Sequence, residues 1–313
     1  MDAFFSFAKY LPNVISRGFL PLYDLNQFLE LSYKKNLNSQ ELDLRKNLYF
    51  DFKQNKNALM HLYHYALLSH AAYLNLNTTN IFLNIDRKTL FKVLTHNIFQ
   101  KECVTIGKFE PLMAFNFIKR FDLLAHINED YLDSRGGFRA SLFQNKENQE
   151  FILAIAGSDL RPLKFDIGDL ISDFILLNGK IPKKQFDSLL KFYTLIKKEF
   201  CFDKITLVGH SLGGHLAQLF VLDFASEVQN LYTFQAPGIA KKILKDVKNK
   251  AYIQKISYHF HTCDDFKKNT WYKFNFVQNL HSKIGYPIWL NIGNKFHHPK
   301  ICPKILHKVL NML

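Results

Sequence analysis

The stretch from residue 205 to residue 222 restricts the fold more than any other. An apolar run, Ile205 to Val208, enters Gly209-His210-Ser211-Leu212-Gly213-Gly214 directly, and Leu212, Leu216, Leu219 and Phe220 follow at helical spacing. A short buried strand that turns at once into an apolar helix is the βα step of a parallel or mixed sheet. The turn is so sharp that side chains two positions before and after Ser211 would collide with the neighbouring strand and helix. Glycine at 209 and 213 removes those collisions. Ser211 is then held in a strained conformation, clear of the sheet edge, at a helix N-terminus whose dipole and free N–H groups favour developing negative charge.

Strand, Gly-x-Ser-x-Gly, helix is the context of a nucleophile elbow. With 13 glycines in 313 residues, chance supplies roughly 0.02 matches to the bare pattern. No Gly-Lys-Ser/Thr follows, which argues against a phosphate-binding loop.

The flanking sequence carries the same alternation. Phe138 to Phe143 reads as a strand, Gln144 to Gln149 as a polar turn and Phe151 to Ala156 as a fully buried strand. Phe186, Leu189, Leu190, Tyr193, Ile196 and Phe200 form a helical stripe; Leu231 to Gln235, Ile256 to His261 and Tyr286 to Ile292 are further strands, and Ile301 to Leu313 a closing helix. The α/β zone thus starts at Gly136. Before it, Leu59, Leu62, Tyr63, Ala66, Leu67 and Tyr73 have the spacing of a buried helix. Residues 1–57 read as a separate helical extension, with Asp24 and Gln27 as a capping box. The predicted organisation is therefore an N-terminal helical extension, 1–57, and an α/β domain, 58–313, with a mostly parallel central sheet flanked by helices.

Composition excludes a disordered or collagenous chain, with 48% hydrophobic and 22% charged residues. Four cysteines without a CxxC pair point to neither a zinc site nor a disulfide framework. No secretory signal is read at the start, where Asp2 stands in place of a basic segment, so a cytoplasmic location is expected. Two uncharged stretches, Ala58 to Ile85 and Ile205 to Leu222, are too rich in His, Asn and Gly to be read as membrane spans. The charge is uneven: the net charge is +14, and residues 241–313 hold 14 Lys and no Arg against three acidic residues. Such a surface attracts anionic partners, and a peripheral contact with an anionic membrane is expected. Lysine without arginine argues against base readout in nucleic acid, and no nucleic-acid partner is expected.

A serine nucleophile needs a base and an acid that orients it, in the chain order Ser, Asp, His for this elbow. Asp223 falls on the helix after the nucleophile and Asp246 in a Lys-rich helix, which makes surface charges of both. Asp264 and Asp265 follow a strand directly, where a carboxylate reaches the carboxyl edge of the sheet. The base comes from His281, His297, His298 or His307. His307 falls on the terminal helix; His298 is favoured because Pro299 holds it in extended geometry, with His297 close behind. The N–H of Leu212 is one oxyanion donor, and Ser158, at the end of the strand before Gly157-Ser158-Asp159, is the candidate for the second. Asp166, Asp169 and Asp173 share a helical face and read as a solvated face or cap rather than metal ligands. No metal and no cofactor are expected.

The segments LVGHSLGGHLAQL, FILAIAGSD, LYTFQAPGI, FHTCDD and ALLSHAAYLNL together resemble the class 3 lipases, the fungal-lipase-like branch of the α/β-hydrolases, over roughly residues 58 to 313. The segment DFILLNGKIPKKQFDSLLKFY is similar to bacterial members. The resemblance implies an α/β-hydrolase-like fold and makes Ser211 the nucleophile, Asp264 rather than Asp265 the acid, a histidine after the last strand the base, and Ser158 with Leu212 the oxyanion hole. Ala156 stands where the family often has Arg, and Asp265 where an apolar residue usually follows the acid. The expected reaction is hydrolysis of carboxylic esters of lipids, most readily phospholipid or lysophospholipid acyl esters. A thioesterase or acyltransferase with the same triad, or an inactive lipid-surface binding module, are the alternatives.

Overall fold

A computed structural model describes residues 56–74, 76, 80–96, 109–128, 137–157, 182–263, 281–291 and 303 of the chain. Among them three helices come first: α1 (Lys56–Ala71), α2 (Arg87–His96) and α3 (Pro111–Arg120). Strands β1 (Phe121–Asn128), β2 (Arg139–Asn145) and β3 (Phe151–Ile155) follow, then α4 (Lys183–Phe200), β4 (Ile205–His210) and α5 (Leu212–Phe224). The rest comprises β5 (Val228–Phe234), the short α6 (Lys241–Leu244) and α7 (Lys250–Ile256), β6 (Ser257–Cys263) and β7 (Tyr286–Asn291). Among the described residues these seven strands form one sheet in the order of the sequence. β1–β2 and β2–β3 pair antiparallel, and every pair from β3 to β7 is parallel. All strands from β3 onward therefore end at one edge.

Both faces of the sheet are covered, which is why its central strands have no polar face. On β3, Ile152 and Ala154 pack with α1, α2 and α3, while Leu153 and Ile155 pack with α4 and α5. Val208 and Phe234 belong to the first core, and Leu207 and Leu231 to the second. Val228 and Leu231 lie an odd number of residues apart yet share a face. A bulge explains this: Ile205 pairs with Val228 but Leu207 with Leu231, which places an extra residue in β5.

The helices dock by complementary stripes. α1 is buried from Leu62 to Ala71 with one partly covered position at His64, and its Tyr65 donates to Glu150, which also accepts from Thr206 at 2.5 Å. α4 buries Leu189, Phe192, Tyr193 and Ile196. Its Tyr193 and Lys197 both bond to Glu227 in the 3-10 turn that follows α5. α3 presents Phe117 to Phe109, Phe121 and Phe143, with ring centroids 5.6, 5.0 and 5.5 Å away.

The sheet extends the expected α/β zone toward the N-terminus. It starts at Phe121, not Gly136, because β1 belongs to it. The period-two pattern of β1 is broken by a bulge between Leu123 and Ala125, and Ala125 also bridges to Phe82. Asp246, read as helical, stands on an exposed turn between α6 and α7. Except for Lys56 and Asn57, which begin α1, the 1–57 extension lies outside the described residues, as does the closing helix apart from Pro303. Of the two uncharged stretches, the first supplies most of α1, and the other divides into β4 and α5. No helix among the described residues is long and apolar enough to cross a membrane.

Phe117 is fully buried and contacts three other rings. Phe117→Ala is expected to cost about 3–5 kcal/mol, read as a lower denaturation midpoint in urea at unchanged slope.

Candidate active site

β4 delivers its chain to the carboxyl edge, and Ser211 is the first residue beyond it. The serine has φ 54 and ψ −125, a left-handed backbone that an L-residue adopts only when its surroundings hold it there. They do so from both sides. Ser211 donates its N–H to the carbonyl of Phe234 at 3.0 Å, and its own carbonyl accepts from Gly214 and His215, which starts α5.

The two glycines act as the sequence required, and the structure identifies the atoms a side chain would meet. A Cβ on Gly213 would lie 2.2 Å from the carbonyl oxygen of Ile155 at the end of β3. One on Gly209 would lie 2.6 Å from the backbone of Gly213 and Gly214. These are backbone atoms that cannot swing away, so α5 approaches the sheet this closely only with hydrogen at both positions. The first N–H groups of α5, that of Leu212 foremost, have no acceptor within the helix.

The first turns of α5 are locked to the loop after β5. His215 Nδ1 bonds to the carbonyl of Gly238 at 2.8 Å, and Gln218 donates to the carbonyl of Pro237 at 2.7 Å. A second polar chain runs beneath the serine. Tyr73, just beyond α1, meets His210 Nδ1 at 2.6 Å and accepts the N–H of Gly157 at 2.8 Å; His210 Nε2 meets Gln235 Oε1 at 3.1 Å. Sequence reasoning missed Tyr73 and Gln235 as site residues, and named Gly157 only as part of the oxyanion turn. Tyr73 is visible as the end of an apolar helix, but nothing in the sequence places it beside His210.

Among the described residues, three histidines are structural. Burial pushes His126 and His259 down to about 3 and His215 to about 4. Each is also held in a hydrogen bond: His126 with Ser141, His215 with Gly238, and His259 with Thr233 and the carbonyl of Ile284. They are neutral and buried away from the serine edge's solvent, unsuited to shuttle a proton. His281 has φ 64 and adjoins the bridge between Ile239 and Ser282, on the side of the sheet that carries α5. Asp223 lies on α5. Asp264, Asp265, His297, His298, His307, Ser158, Asp166, Asp169 and Asp173 lie outside the described residues. No cluster of His, Cys, Asp and Glu suited to a metal occurs among the described residues.

Residues 176–267, which run from before α4 to just past β6 and include the elbow and Asp264, match the family described as Lipase (class 3). Over this segment, less than a third of its length, the chain is similar to the class 3 lipases. The match, the sheet and the elbow together fit a lipid ester hydrolase of the α/β-hydrolase type. Among solved structures, the Lip2 lipase of Yarrowia lipolytica is 14% identical, with 74% of this chain and 78% of that one covered and a TM-score of 0.44. A triacylglycerol lipase from Penicillium expansum is also 14% identical, covering 76% and 82%, with a TM-score of 0.40. Lipase II from Rhizopus niveus is 13% identical, covering 67% and 73%, with a TM-score of 0.36. No curated protein sequence matches the chain.

The neutral histidines tie the stability of this protein to pH. A histidine held at about 3 or 4 in the folded protein, as His126, His259 and His215 are, titrates near 6.5 once unfolded, so below about 6.5 the unfolded chain binds protons that the native one refuses. Stability is expected to fall from about pH 6.5 toward pH 4, by up to about 1.4 kcal/mol per unit for each such histidine. Urea unfolding at pH 7 and pH 5 checks this, and His126→Gln should flatten the dependence.

Proposed function

We propose that this lipase works through an acyl-enzyme on Ser211, with Asp264 orienting the base, His298 as that base, and the N–H groups of Leu212 and Ser158 binding the oxyanion. The observation that carries the reading is the backbone of Ser211, φ 54 and ψ −125, at the N-terminus of α5 between glycines that admit no Cβ. Such strain persists where a side chain must be presented. The sheet supports the acid and the base. β6 ends at Cys263, one residue before Asp264, and runs parallel to β5 and hence to β4. β7 ends at Asn291 and is parallel in turn, so the chain toward His297 and His298 leaves from the same edge.

In the reaction, Ser211 Oγ attacks the ester carbonyl while His298 takes its proton. The carbonyl oxygen gains charge facing the oxyanion donors, and collapse expels the alcohol, protonated by His298. Water, deprotonated by the same imidazole, then releases the acid and frees Ser211. Nothing in this scheme needs a metal.

The substrate we favour is an acyl ester of a phospholipid or lysophospholipid at an anionic surface. Lys241, Lys242, Lys245, Lys248 and Lys250 are all exposed on the α6–α7 segment that follows β5. These lysines belong to the Lys-rich C-terminal region; the segment departs after β5 and returns to the start of the strands, where Tyr252 donates to the carbonyl of Val228 at 3.1 Å.

A fluorophosphonate probe with peptide mapping tests the nucleophile. Ser211→Ala should lose labelling and nearly all ester hydrolysis while keeping its fold; turnover equal to the parent would end the reading. Asp264→Asn should lose on the order of 10⁴ in turnover and Asp265→Asn far less. His298→Ala should be inactive and His297→Ala lose less than about tenfold, or under roughly 1.4 kcal/mol of barrier. If both histidine variants survive, His281 becomes the base. Binding with no labelling would identify an inactive lipid-surface module.

For the surface, cosedimentation with anionic vesicles is expected at low salt and should weaken at high salt. Each lysine that reaches the surface contributes about 1 kcal/mol. Replacing the five α6–α7 lysines with Gln should remove much of the difference between anionic and neutral vesicles.

A further inference from the structure

We propose that Gln235, acting through the His210 imidazole and the Tyr73 hydroxyl, positions the backbone at Gly157 so that the oxyanion turn is held against Ser211. The inference builds on the reading of Ser211 as nucleophile and of the Gly157-Ser158 turn as its oxyanion site.

Gln235 has φ 50, a left-handed conformation that glycine would adopt without cost, and it is fully buried. A glutamine kept there points to a use for its side chain. Its backbone N–H donates to Phe260 at 2.7 Å, which fixes the residue, and its Oε1 lies 3.1 Å from His210 Nε2.

That oxygen carries no hydrogen, so Nε2 must be the donor. A neutral imidazole protonated on Nε2 has only a lone pair on Nδ1, and the Tyr73 hydroxyl, 2.6 Å away, must donate to it. With its proton committed, the Tyr73 oxygen is left to accept, and it accepts the N–H of Gly157 at 2.8 Å. The direction of every bond follows from the carbonyl end of one amide. The chain joins the segment after α1, the end of β4 and the loop after β5, all at the carboxyl edge.

Its far end lies against the nucleophile. A Cβ on Gly157 would come 2.7 Å from Ser211 Cβ, 2.7 Å from Tyr73 Oη and 2.8 Å from the carbonyl oxygen of His210. The peptide between Ala156 and Gly157 is thus wedged between the serine and the tyrosine, one residue before Ser158. Rotating it changes where the next N–H points. Tyr73, His210 and Gln235 are positioning residues, since each acts through another group.

The test joins spectroscopy with kinetics. In histidine-labelled enzyme, ¹⁵N NMR should show His210 protonated on Nε2. Tyr73→Phe should lower kcat by on the order of 100-fold, as a misplaced donor does, with KM within about twofold. Gln235→Gly, which relieves the backbone, should lose activity without losing thermal stability. The double variant should be no slower than Tyr73→Phe alone, because Gln235 works through Tyr73. Should Gln235→Gly fail to fold, Gln235→Asn takes its place in the cycle. An Nδ1-protonated His210, an undiminished Tyr73→Phe, or losses that multiply in the double variant would each overturn the inference while leaving the active enzyme as proof of the catalytic reading. A parent protein with Nε2-protonated His210 that neither labels nor hydrolyses would overturn the catalytic reading, and the positioning role with it.

Discussion

The closeness of α5 to the ends of β3 and β4 is the constraint on which the rest of the site depends. A Cβ on Gly213 would collide with the carbonyl of Ile155, and one on Gly209 with the backbone of Gly213, so strand, turn and helix approach backbone to backbone. No side chain lies between them to absorb displacement. The elbow therefore has little freedom, and the strain at Ser211 is confined by contacts that cannot yield. This contact also sets the neighbours of the serine: β3 ends beside it and hands over to Gly157, while β5 ends beside it and hands over to Gln235.

Polar groups near this contact behave differently from those at the surface. His210, His215, Gln218, Thr233, Gln235 and His259 are all buried, and each takes part in a hydrogen bond that links two elements. Buried polar groups are expensive unless satisfied, and once satisfied they discriminate between packings that an apolar core would tolerate equally. In this protein they join the carboxyl ends of the strands to α1 and α5. The apolar cores on the two faces supply cohesion, and the polar connections supply register.

The parts of the fold written as local pattern are legible in the sequence. β3, β4 and α5 follow from uninterrupted apolar runs and from glycine spacing, and α4 from its stripe of Leu189, Tyr193 and Ile196. β1 is not, because its bulge at Leu123/Ala125 destroys the alternation by which a strand is recognised. In the site, Ser211 and the two glycines are legible for the same local reason. The Tyr73–His210–Gln235 connection is not, since it joins residues far apart in the chain and depends on a backbone angle that Gln235 does not advertise. His210 is present in the motif, but only as the residue between a glycine and the serine.

The same contrast bears on how the site divides its work. Residues recognisable from spacing are those the backbone forces: glycine where no Cβ fits, serine where the chain must bend. Residues chosen for hydrogen bonding are set by partners in other elements and can change in concert without disturbing the elbow. Gln235 is the clearest case, because its backbone angle favours glycine while its side chain serves His210. A strained glutamine at that position marks where this protein has built its own support around a serine turn whose geometry the glycines impose.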